Sequence, residues 1–282
     1  MITVQIIPTG SVLVSPQVPY DPHKAGRSKV YGVTVKNDNK VWLPVCCYLI
    51  RHPKGLILVD TGWARKISPA GEYDEKAQRV AMYSRWLPVF NKGWLPQGQA
   101  IDEQLATLGV PVRDLDYVIL THLDCDHVSG LQQVKEAKHI LVSDDEINGT
   151  QGGGFANQVR YRKALWDGVP LTKFQWNDNQ GPFNRSYDLF GDGSIELINL
   201  PGHSNGLVGV KITNAEGKYV LLTSDAAYSA QSWREMVPSG VCVNRDDQMR
   251  SLEWIRQHSL SPDCLASIST HDPEVEPKAI EL

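Results

Sequence analysis

The run Tyr117-Val118-Ile119-Leu120 is continuously apolar and passes directly into Thr121-His122-Leu123-Asp124-Cys125-Asp126-His127. Its first half has the pattern of a strand buried on both faces, as in a parallel sheet covered by helices. Its second half brings His122, Asp124, Asp126 and His127 together within six residues. Open α/β folds place their sites beyond the carboxyl ends of such strands. With 8 histidines and 20 aspartates among 282 residues, His-x-Asp-x-Asp-His arises by chance in about one chain in a thousand. Imidazole and carboxylate together suit Zn²⁺, Fe²⁺ or Mn²⁺.

The rest of the chain reads as strands with helices interspersed. Residues 2–14 form an apolar strand ended by Pro16. Val41–Arg51 and Gly55–Asp60 are two more strands, joined by the turn residues His52-Pro53-Lys54-Gly55. Ile195–Leu200, Leu207–Ile212, Tyr219–Ser224 and Ala266–Thr270 continue the series, with a short strand at His139–Ser143. Helices are expected over Ile101–Leu108, Leu252–His258 and the middle of 63–100, from Asp74 to about Trp86, with another beginning in Ser129–Val134. Segments 63–100 and 145–185 otherwise read as irregular insertions rich in aromatic residues. We expect α/β architecture in a single domain over 1–282.

Composition removes several classes of function. Lys plus Arg is 28 and Asp plus Glu is 32, a formal charge of −4, which disfavours a nucleic-acid partner. Cys46, Cys47, Cys125, Cys242 and Cys264 are odd in number and contain no CxxC pair, so neither a disulfide framework nor a cysteine zinc finger is expected. No apolar run reaches spanning length, and the opening residues lack the pattern of a signal peptide. These features lead us to expect a cytoplasmic protein with no membrane partner.

A loop as short as 122–127 cannot close a coordination shell alone. Three further ligand-type residues each follow a strand and stand beside small residues: His203 in Pro201-Gly202-His203-Ser204, Asp225 in Thr223-Ser224-Asp225-Ala226, and His271 in Ser269-Thr270-His271-Asp272. In order and setting this set resembles the metal site of the metallo-β-lactamase superfamily, over about residues 40–272. Asp60-Thr61-Gly62 resembles that family's early aspartate turn. Tyr228, three residues after Asp225, is similar to a tyrosine of the N-acyl homoserine lactonase group.

The resemblance implies an αββα sandwich holding two divalent ions, zinc first, with iron or manganese as alternatives suggested by Asp124. It implies that His122, Asp124 and His203 hold the first ion, that Asp126, His127 and His271 hold the second, and that Asp225 bridges them. It implies lactone opening by a metal-bound hydroxide, with Tyr228 stabilising the oxyanion and Asp126 moving a proton to the leaving alkoxide. Asp60 would orient a ligand from outside the coordination shell. One departure stands out: the family pattern is HxHxDH, and Asp124 replaces its second histidine. That carboxylate keeps an iron-dependent oxidoreductase as an alternative. A thioester hydrolase of the glyoxalase II type is another. The expected partner is a small lactone, and segment 63–100 suits a lid or a homodimer contact. The aromatics at 83–94 and 155–183 suit either an acyl pocket or satellite cores under the insertions.

Overall fold

A computed structural model describes residues 1–282, apart from the side chain of Phe155, which lies outside the described set although the aromatic reading above includes it. Two sheets carry the fold. The first orders its strands β13-β1-β2-β3-β5-β6-β7, with β4 also paired to β1. Here β1 is Thr3–Val14, β2 Val41–His52, β3 Gly55–Val59, β4 Lys92–Trp94, β5 Tyr117–Ile119, β6 His139–Ser143, β7 Leu171–Phe174 and β13 Ala279–Glu281. The second is β12-β11-β10-β9-β8, with β8 Ser186–Asp188, β9 Ile195–Asn199, β10 Val208–Thr213, β11 Tyr219–Leu222 and β12 Cys264–Ile268.

Side-chain alternation with period two assigns each residue to a layer. In β2, Cys46, Tyr48 and Ile50 point into the space between the sheets, while Val45, Cys47 and Leu49 join the core on the outer face. In β11, Val220 and Leu222 face the first sheet, and Tyr219 and Leu221 face the helix Arg245–Ser259. Three apolar cores therefore separate four layers, giving the expected αββα sandwich. The helix Arg245–Ser259 buries Gln248, Ser251, Leu252 and Ile255, one stripe at helical spacing. Asn244 caps it, accepting from the backbone N–H groups of Asp246 and Asp247.

Strand direction places the site. β3 and β5 are parallel, as are β11 and β12. β9 and β11 both run antiparallel to the β10 strand between them, so they share a direction. Asp60, His122, His203, Asp225 and His271 all follow the carboxyl ends of these strands. The backbone N–H of Val208 donates to Thr121 O at 2.9 Å and joins the sheets at that end.

Three sequence expectations change. The helix expected to begin in Ser129–Val134 starts earlier, as the short helix Cys125–Val128 followed by a 3₁₀ turn at Leu131–Gln133. Segment 145–185 is more regular than expected. It holds the helices Asp144–Thr150 and Phe155–Arg160 and the edge strand β7; Ser143 caps the first of them, accepting from Glu146 N–H. The last helix begins at Arg245 rather than Leu252, because its polar first turns hide the apolar period. No helix among the described residues is long and apolar enough to cross a membrane.

Gly202 shows why Pro201-Gly202-His203 has that composition. Its φ is 134°, and a Cβ there would lie 2.4 Å from the Gln248 Cα. Its carbonyl accepts from Val243 N–H at 2.7 Å and from Asn244 N–H at 3.2 Å, which ties the loop carrying His203 to the start of the last helix. Gly202→Ala should lower stability by about 1–3 kcal/mol, measured as a lower midpoint of chemical unfolding in the metal-free protein.

Candidate metal centre

Two groups of side chains meet at the strand ends: His122, His203 and Asp225, and Asp126, His127 and His271. Within each group the ligand atoms lie within 4.8 Å of one another. All six residues are at least 95 % buried.

Each imidazole is turned by a bond at Nδ1. His203 Nδ1 is 2.9 Å from Val241 O, and His271 Nδ1 is 2.7 Å from Pro44 O. A carbonyl only accepts, so both rings carry a proton on Nδ1 and turn Nε2 toward the centre, where loss of its proton would free it for a metal ion. His127 Nδ1 lies 2.7 Å from Asp60 Oδ2. The Thr121 hydroxyl donates to Asp60 and accepts from Ser224, so it accepts from His122 Nδ1 at 3.1 Å. Asp60 thus orients His127 directly and His122 through Thr121, and it also accepts from the Thr121 backbone N–H at 2.8 Å. Its own backbone sits at φ 59°, a left-handed conformation that Asp tolerates better than most residues.

The inward-facing atoms fit metal ions better than they fit one another. His122 Nε2, His127 Nε2 and Asp225 Oδ1 are buried without a hydrogen-bond partner among the described residues. His127 Nε2 is 3.2 Å from Asp225 Oδ1. His271 Nε2 is 3.4 Å from Asp225 Oδ2 and 3.6 Å from Asp126 Oδ2. His203 Nε2 is 3.8 Å from Asp225 Oδ2. Two ligands of one tetrahedral zinc, each about 2.0–2.1 Å from it, stand roughly 3.3–3.4 Å apart. Asp225 lies between the groups, with one oxygen toward His127 and the other toward His203 and His271. The donor set therefore suits a dinuclear centre of zinc or a related divalent ion.

The electrostatics agree. Burial disfavours the ionised Asp225, but His271 and His127 outweigh it and hold the acid well below the usual carboxylate range. Burial also disfavours charge on His127, and Asp225 and Asp60 reverse that. The carboxylates that would draw a proton to this pocket draw a divalent ion equally.

The first group combines Asp225 with His122 and His203. Asp124 is not one of its three members, but its carboxylate lies against both histidines and carries a partner of its own. Arg160 grips the Asp124 carboxylate with a two-pronged fork, Nε to Oδ1 at 2.6 Å and Nη2 to Oδ2 at 2.8 Å. Oδ2 still lies 3.0 Å from His203 Nε2 and 3.4 Å from His122 Nε2. Burial would raise this acid, but Arg160 and the two imidazoles hold it well below the ordinary range.

A cavity of about 320 Å³ opens above the centre. Tyr228 lines it, with its ring stacked on His271 at 5.1 Å between centroids. Burial, followed by Asp225 and Asp126, pushes the Tyr228 phenol well above its usual pKa, so it keeps its proton. The apolar wall is largely aliphatic, with Val12, Val14, Leu87 and Val159 beside Tyr31 and Phe90. Of the described aromatics at 83–94 and 155–183, only Phe90 lines this cavity. Tyr161 and Trp166 pack into the outer core of the first sheet, and Phe174 and Trp176 pack between the sheets. Burial keeps Cys125 a neutral thiol, its pKa far above the usual value, and it belongs to neither ligand group.

Sequence reasoning missed Arg160 and Asn91. Asn91 reaches Asp126 Oδ1 at 3.5 Å from the 63–100 segment. The unusual carboxylate at 124 was the signal that a cation was needed nearby, but it did not show where.

Residues 41–257 match the model of the Metallo-beta-lactamase superfamily, and the chain belongs to that superfamily. The N-acyl homoserine lactonase AttM of Rhizobium radiobacter is 27 % identical over 250 residues, covering 88 % of this chain and 90 % of that protein. Among solved structures, an N-acyl homoserine lactone hydrolase with N-hexanoyl-L-homoserine at its catalytic metal centre superposes with a TM-score of 0.74 at 20 % identity, covering 99 % of this chain and 98 % of the other. AidC, a dizinc quorum-quenching lactonase, has a TM-score of 0.65 at 14 % identity, covering 97 % and 88 %.

Asp60→Asn should weaken metal binding about 10–100-fold, because an amide cannot accept at both positions. Titration of the metal-free protein with zinc checks this; an unchanged affinity would remove Asp60 from the positioning role.

Proposed function

We propose that this chain is a metal-dependent hydrolase that opens a lactone ring, with N-acyl homoserine lactones as the leading substrates. One observation carries the reading: two His/Asp groups form the floor of a cavity whose wall is aliphatic. A polar floor suits the ring, and an aliphatic wall suits an acyl chain. The relatives named above act on this class of molecule, which supports the same assignment here.

In this reading His122, His203 and Asp124 would hold the first ion, Asp126, His127 and His271 would hold the second, and Asp225 would serve both. Bound divalent ions supply acidified water and Lewis-acid pull on the carbonyl at neutral pH. The chain supplies the rest. Tyr228 retains its proton and donates to the carbonyl oxygen as negative charge builds there. Asp126 carries a proton from the attacking water to the leaving alkoxide, with the Asn91 amide donating to its Oδ1. The apolar wall excludes water and aligns the acyl chain. The iron-oxidoreductase alternative rested on the carboxylate at 124, whose two oxygens both accept from Arg160.

We further read the chain as one domain over 1–282. Its five unpaired cysteines support a reducing, cytoplasmic setting. The exposed cluster of Trp42, Tyr73 and Trp94, with ring centroids 6.0 and 6.4 Å apart, supports a homodimer contact near the 63–100 segment.

A lactone panel followed by proton release tests the reading. It should contain short and long acyl homoserine lactones, a γ-lactone and a bicyclic lactone. Acyl homoserine lactones should be opened best. Tyr228→Phe should lower kcat about 100-fold with metal content intact, and Asp126→Asn should abolish turnover. No ring opening by protein with two ions bound would reject the reading.

A further inference from the structure

We infer that Arg160 is the positioning residue of the first metal site: its fork makes the Asp124 carboxylate a neutral, one-oxygen ligand equivalent to an imidazole. The inference rests on the ligand assignment proposed above and extends it to a residue outside the ligand set.

Three observations lead there. The first is geometric. Nε of Arg160 takes Asp124 Oδ1 and Nη2 takes Oδ2. Of the two oxygens, Oδ2 is the one near both His203 and His122 Nε2. A free carboxylate can rotate or chelate an ion with both oxygens. The fork prevents both, because bidentate pairing fixes the carboxylate plane. The second is charge. Asp124, Asp126 and Asp225 carry three negative charges, so two divalent ions leave the centre at 4 − 3 = +1. With a histidine at 124 it would be 4 − 2 = +2. The Arg160 cation restores that sum, with side-chain exposures of 16 % for Arg160 and 15 % for Asp124 keeping the pair largely out of water. The third is anchoring. Nη1 of Arg160 donates to His203 O at 3.0 Å, so one guanidinium sets both Asp124 and the loop that carries His203. Ala156 and Val159, on the same short helix, line the cavity wall, which ties the apolar wall to the first metal site through a single element.

The test is titration of metal-free protein with Zn²⁺, and with Co²⁺ followed by its visible spectrum, which reports coordination number independently of turnover. Wild type should bind two ions. Arg160→Met should bind the first ion about 10–100-fold more weakly, leave the second unchanged, and lose Co²⁺ band intensity as the freed carboxylate chelates. Arg160→Lys keeps the charge but not the fork and should resemble Arg160→Met. The double variant Asp124→His with Arg160→Met removes both charges together and should recover first-site affinity and the four-coordinate spectrum. It also serves where Arg160→Met folds poorly, since it leaves no unpaired buried charge. Wild-type affinities and spectrum in Arg160→Met or Arg160→Lys, or a folded double variant without the first ion, would overturn the inference. Failure of wild type to bind two ions would instead reject the ligand assignment beneath it.

Discussion

The structure depends on a crowd of buried acids and imidazoles that ordinary pairing does not satisfy. Asp126, His127, His203, Asp225 and His271 meet at the strand ends, each nearly excluded from water. Burying charge is costly unless opposite charge lies close. Arg160 lines the same cavity, and its charge is committed to Asp124. The imidazoles are held with Nε2 inward by Val241 O, Pro44 O, Asp60 and Thr121. Divalent ions resolve this arrangement, and the two sheets can be read as a frame that delivers its ligands to them.

That requirement explains features that would otherwise be costly. Asp60 keeps a left-handed backbone, and in return its two oxygens fix Thr121 and His127. Gly202 is the residue type that lets the last helix close against the loop of His203. Glu146, buried at the start of its helix, accepts from Leu123 N–H, Gly206 N–H and the Ser204 hydroxyl. One carboxylate therefore pins the turn after His122 to the turn after His203. These groups act on geometry rather than on chemistry, and sub-ångström placement of ligands is what they supply.

Much of this was legible in the sequence, for local reasons. A buried strand announces itself by a short apolar run, and a ligand-type residue at its end announces itself by residue type, so the main strands were readable and six of the seven expected metal ligands fall in the two His/Asp groups. Asp60 read correctly as an orienting residue because it stands at such an end. What failed was non-local. Arg160 lies 36 residues from Asp124 in a segment whose polar, glycine-rich sequence hides two helices. β13 joins the sheet only by pairing with β1 at the far end of the chain. The aromatic segments left an acyl pocket and satellite cores both open: Tyr161, Trp166, Phe174 and Trp176 pack into cores, and Phe90 lines the cavity beside valines supplied by β1. Asp124 shows both sides: its position was found, but its environment was not.

As a dinuclear metal centre for ring opening, this site needs both ions for turnover. The most direct measurement counts tightly bound metal per chain and follows lactone-driven proton release before chelation, after chelation and after readdition of zinc. Two ions per chain, loss of turnover on chelation and its return as the second ion is restored are expected. Turnover that survives complete metal removal, or a fully active chain holding no ion, would contradict this requirement.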